Sequence, residues 1–183
     1  MKAQTQPQAR DLEVLILGAI LLESDAYDKV INIIDVDTFY VDAHKKIFES
    51  IKNLKSKSEN VDLYTVVEEL KKNNNLDNVG GVTVVAGLTN ALASSANIEQ
   101  HARIIKEKQL RREIISICSM SIKNAFDDTE DVFDSIVKLS LGTSTLLDAG
   151  STNKLDKLND VTIFNHKDRK TPKQGQKSKF KDL

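Results

Sequence analysis

Three histidines, one cysteine and a pair of adjacent glycines are the residues of this 183-residue chain that could carry chemistry. His44, His101 and His166 fall in separate segments and lack the i, i+4 partners that a helical metal site needs. Cys118 is the single cysteine, which excludes an internal disulfide and a cysteine-built zinc site. Its place on the apolar side of a helical pattern makes it a small core residue, and a nucleophile–base pair finds no candidate. Gly80-Gly81 precedes a helical pattern, where free backbone amides can bind an anion. The pair lacks the Lys and Ser/Thr of a G-x-x-x-x-G-K-[ST] loop, and no G-x-G-x-x-G occurs, so it reads as a tight turn. Glu68-Glu69 and Asp127-Asp128 read as solvated acids. No catalytic, cofactor or metal site is expected. Arg103, Lys106, Lys108, Arg111 and Arg112 form a cationic cluster, the candidate for partner or phosphate contacts. Trp is absent and aromatics are not interleaved with these charges, so the cluster reads first as a solvated or salt-bridged face.

The cluster sits on residues 97–126, a stretch without Gly or Pro. Ile98, Ala102, Ile105, Leu110, Ile114, Ile117 and Cys118 recur at three-to-four-residue spacing, which predicts an amphipathic helix about 45 Å long. Asn97 is placed to cap it and Glu99 suits the positive end of its dipole. A polar reversal at 127–130 leads to a second amphipathic helix, 131–147, with Val132, Phe133, Ile136, Val137, Leu139 and Leu141. Two long helices with so short a connection make an antiparallel hairpin. Its apolar stripe needs a partner, and Ile98, Ala102, Ile105, Leu110, Ile114, Ile117, Val132, Phe133, Ile136 and Val137 are the expected self-association residues.

Upstream, helical patterns cover 9–22 (Leu12, Leu15, Ile16, Ala19, Ile20, Leu22), 26–34 (Tyr27, Val30, Ile31, Ile34) and 42–55 (Ile47, Phe48, Ile51, Leu54). Two more follow at 63–73 (Val66, Val67, Leu70) and at 82–92, where Val84-Val85 is strand-like. Ser24 or Asp25 and then Asp62 are the expected caps, and Asn73-Asn74-Asn75 ends the fourth helix. Gly18 inside the first helix calls for a close crossing by another helix. Aromatics at 5% favour helices, so the fold class is all-α: a disordered N-terminus at 1–8, a helical body at 9–96, the hairpin at 97–147 and a linker at 148–183 containing a short helix at 155–164. The net charge of −1 hides a basic tail, with nine Lys/Arg against four Asp/Glu from residue 150 onward. No apolar run approaches the roughly 20 residues of a membrane span, and a cytoplasmic location is expected.

The blocks DLEVLILGAILLE after Pro7, DTFYVDAHKKIFESI, VDLYTVVEELKKNNNLDNVGG and SSANIEQHARIIKEKQLRREII occur in this order over residues 7–140. Through them the chain resembles the N-terminal domain of the bacterial DnaB-type replicative DNA helicase, most specifically at Asp37, Phe39, Tyr40, His44, Ile47 and Phe48 and at Gly80-Gly81 with Ser95-Ala96-Asn97-Ile98. The resemblance implies hairpins that pair between subunits, a trimer of dimers forming a collar on a hexameric ring, and docking of primase; a helicase loader is a further implied partner. ATP and Mg are implied only for a RecA-like motor domain that this chain does not contain. Phe180-Lys181-Asp182-Leu183 resembles the entry to that motor, which favours a fragment over a free-standing relative. The alternative is a helicase-binding domain, resembling the primase C-terminal domain or a phage or mobile-element decoy, that regulates a host helicase. Contact of the basic tail with DNA is a secondary expectation.

Overall fold

The structure, a computed structural model, describes residues 5–90 and 95–150. The expected helix at 155–164, His166, most of the basic tail and the motor-like end lie outside the described residues. Among those described, all regular structure is helical: α1 (Arg10–Leu22), α2 (Ala26–Val30), α3 (Asp42–Ser56), α4 (Leu63–Lys72), α5 (Gly81–Asn90), α6 (Ile98–Ala125) and α7 (Val132–Gly150), with 3-10 turns at Val36–Thr38, Asp77–Val79 and Ser95–Asn97.

Local chemistry explains the boundaries. Asp62 and Thr65 form a reciprocal capping box at the start of α4, each side chain bonding the other's backbone N–H. Asp35 and Thr38 do the same around the first 3-10 turn. Asn74 takes φ 54° just past α4, as its side chain allows. Gly80, at φ 93°, leads into α5, and a Cβ there would stand 2.7 Å from Val84 Cγ2. Val84 and Val85 are helical, since tertiary packing that buries Val85 overrides their strand preference. The second helix stops at Val30, short of the expected residue 34; Asp25 binds Lys29 at 2.8 Å, and its side chain makes no cap. Asn97 heads α6 without a side-chain cap, and the preceding 3-10 turn makes the entry instead.

The core forms where α1 packs across α3, α5 and α6, and α3 packs on α4. Ile16, Leu17, Ile20, Phe39, Ile47, Phe48, Ile51 and Leu70 are fully buried, with the Phe39 and Phe48 rings 4.9 Å apart. Gly18 is buried within the same helix. Leu22, part of the apolar pattern of the first helix, is exposed at the end of α1, and Leu21 is buried. The first half of α6 completes this core; the second half pairs with α7 outside it.

Candidate functional site

The structure divides the expected self-association residues into three groups. Ile98, Ala102 and Ile105 are buried in the core of their own body, so these three are corrected out of any surface between chains. Leu110 and Ile117 are half-buried. Ile114, Val132, Phe133, Ile136 and Val137 are exposed, and Ile115, Met120, Ile122, Phe126, Leu139, Leu141 and Leu147 join them. Phe126 is 86% exposed and Phe133 73%. Cys118 is also exposed, a correction to its reading as core. The spacing that suggested burial is real, but beyond Gln109 the helix has left the body that would have covered it.

The seam between α6 and α7 explains why so much apolar surface stays outside. Ile117, Ser121 and Asn124 face inward from α6, and Ser135, Gly142 and Leu146 are the least exposed positions of α7. A Cβ on Gly142 would meet Ile117 Cδ1 at 3.2 Å, so Gly142 lets the helices cross closely. Small and polar residues fill the seam, leaving the larger apolar side chains on its flanks. The turn is built from acids: Asp127 Oδ1 accepts from the Thr129 N–H at 3.0 Å and its hydroxyl at 2.6 Å, which holds the Asp127 carboxyl below its ordinary range. Asp131 caps α7 by accepting from the N–H groups of Phe133 and Asp134.

The cationic cluster is largely engaged within the chain. Arg111 pairs with Glu107 at 2.6 Å, and Lys106 donates to Gln109 at 3.0 Å. Arg112 Nη1 donates to the Pro7 carbonyl at 3.0 Å and Nη2 to the Thr38 carbonyl at 2.9 Å, with the guanidinium 5.5 Å from the Tyr40 ring centre. Arg112 is thus engaged as an internal tie, which also holds Pro7 in the stretch expected to be disordered. Arg103 and Lys108 make no ion pair among the described residues and keep the role of candidate partner or phosphate contacts.

Sequence reasoning missed one buried constellation. Glu13 is 1% exposed; its carboxylate accepts from the Tyr40 N–H at 2.7 Å and the Val41 N–H at 3.3 Å, and meets His44 Nδ1 at 2.7 Å. The arrangement closes the N-terminal end of α3 against α1; the single acid inside the apolar run of α1 was its visible signal. At the other end of α1, Glu23 accepts from the Ser95 N–H and hydroxyl, which lowers its carboxyl pKa and ties α1 to the approach to α6. His101 is half-exposed on α6, and no group of three or more His, Cys, Asp or Glu side chains is placed to hold a metal among the described residues. No helix among them is long and apolar enough to cross a membrane.

A closed helical body thus bears a hairpin with exposed apolar side chains on both of its helices. Residues 5–107 match the family described as DnaB-like helicase N terminal domain, and the chain belongs to it. The replicative DNA helicase DnaB of Rhodothermus marinus is 36% identical over 155 residues, 85% of this chain and 16% of that protein. The replicative DNA helicase DnaB of Treponema pallidum is 32% identical over 129 residues, 70% of this chain and 30% of that protein. The chain therefore spans less than a third of either relative's length. The crystal structure of the N-terminal domain of DnaB helicase from Mycobacterium tuberculosis superposes with a TM-score of 0.72 at 26% identity, over 75% of this chain and 97% of that one. A DnaB-like replicative helicase whose structure was described with its interactions with primase shares the fold, with a TM-score of 0.62 at 17% identity, over 91% of this chain and 36% of that one.

Proposed function

We propose that this chain serves as the collar or interaction domain of a replicative DNA helicase, self-associating through the outer face of its hairpin and docking primase. One observation carries the reading: exposed apolar side chains on both hairpin helices, among them Ile114, Phe126, Phe133 and Ile136. Large contiguous apolar surface on a helical projection is stabilised by burial against a partner, at about 25 cal/mol per Å². A second copy is the simplest occupant, because an isologous contact uses the same face twice. Primase enters through the helicase that shares this fold and was described with it. A helicase loader is a further proposed partner. The proposed role is one of contact.

The Phe133→Asp, Ile136→Asp double variant tests the reading by light scattering. It is expected to lower the mass of the assembly to that of one chain while circular dichroism keeps the helical signal, because each Asp would bury an unpaired charge in the contact. An unchanged mass would overturn self-association through this face. Immobilised chain challenged with primase tests the second part, and absence of binding by both the wild-type chain and the double variant would remove primase docking.

A further inference from the structure

We infer that Arg112, with Gln109, sets the direction in which the hairpin leaves the body, acting as a positioning residue for the proposed self-association on which this inference rests. The buried residues of α6 are Ile98, Ala102, Ile105 and Gln109, so the last firm hold of the body on the helix is at Gln109. Gln109 is fixed there by the Thr38 hydroxyl, which donates to its Oε1 at 3.0 Å. One turn later the Arg112 guanidinium reaches two separate segments at once, the Pro7 and Thr38 carbonyls, and lies over Tyr40. Tyr40 is itself held by its N–H on the buried Glu13 carboxylate. The fork therefore references the hairpin to the segment before α1, to the 3-10 turn and to the α1–α3 junction.

Packing leaves one side of α6 open where the helix emerges from the body. A groove of about 590 Å³, lined by Gln6, Asp37, Gln109, Arg112, Met120 and Lys123 among others, runs beside α6 where it emerges. With open space on that side, the helix can tilt unless the fork holds it. From Arg112 to Ala125 the rise is about 20 Å, so a tilt of roughly 10° moves the tip by ~3 Å. That displacement exceeds the fit of side chains in a packed contact. A lysine cannot replace the fork, since its single ammonium lacks the rigid planar donors that bridge two carbonyls.

The test uses the full chain with Cys118→Ser and spin labels on Lys72→Cys in α4 and Asp128→Cys at the hairpin turn, diluted into unlabelled chain so that only intrachain distances are read. Arg112→Lys and Arg112→Ala are expected to broaden the body-to-tip distance distribution roughly twofold and to weaken self-association on the order of tenfold, with the helical signal retained. Arg111→Ala, which removes only the Glu107 pair, is expected to change neither. A wild-type distribution in Arg112→Lys, or equal broadening in Arg111→Ala, overturns the inference. Loss of helical signal in Arg112→Lys also overturns it, because the residue would then be needed for folding. If the wild-type chain does not self-associate, the proposed function fails, while the intrachain distances still decide whether Arg112 holds the hairpin.

Discussion

The body and the hairpin use the same residue types to opposite ends. In the body, Phe39 and Phe48 are fully buried among helices that meet from several directions. In the hairpin, Phe126 and Phe133 stand in solvent because two helices alone can cover only the stripe between them. That stripe is filled by Ser121, Asn124, Ser135 and Gly142 together with Ile117 and Leu146. Apolar periodicity reports that a face seeks cover, and the number of neighbouring elements decides whether the cover comes from the same chain. The polar groups differ likewise. Glu13 is enclosed and fully bonded, whereas the acids of the hairpin turn organise their own backbone in water.

The comparison breaks most sharply at the aromatic residues. Phe48→Ala is expected to destabilise the body by about 3–5 kcal/mol, by loss of burial plus the cavity left behind. Thermal melting will show it, and Phe133→Ala in dilute protein should leave the same melting curve almost unmoved. Glu13→Ala comes next, at about 2–4 kcal/mol, because it strands the Tyr40 and Val41 N–H groups and the His44 ring without their acceptor. Denaturant titration checks that value. Gly80→Ala is expected to lose about 1–2 kcal/mol, since the added methyl must accept a positive φ and push against Val84.

The smallest effect is pH dependence. Hydrogen bonds from Lys52 to Asp35 and from Lys57 to Glu69 hold both carboxyls below their ordinary values. Unfolding would raise those pKa values, so the stability they contribute is present above the unfolded pKa and is lost as pH falls through the folded one. A modest fall in melting temperature is expected below about pH 4. The lysines run the other way. Asp25 raises Lys29 and Asp35 raises Lys52, so their contribution is present below about pH 10 and is lost as pH rises through the folded values. Asp35→Asn should flatten the acid side.

Much of the architecture was legible because its signals are local. The Asp62 cap, the glycine turn before α5 and the span of α6 each follow from a few neighbouring residues. The division of α6 was not. Ile98 and Ile114 sit in one continuous pattern, and only the position of the body separates the buried one from the exposed one. Cys118 was misread for the same reason. The internal bonds of Arg112 and Glu13 escaped notice because their partners, Pro7, Thr38, Tyr40 and His44, lie far away in the chain.

Sedimentation equilibrium of the 183-residue chain from low to high micromolar concentration tests the central claim most directly, that the outer face of the hairpin is covered by a second copy. A dimer or larger even-numbered assembly that dissociates on dilution is predicted. A single-chain mass throughout, with the helices folded, would contradict the account.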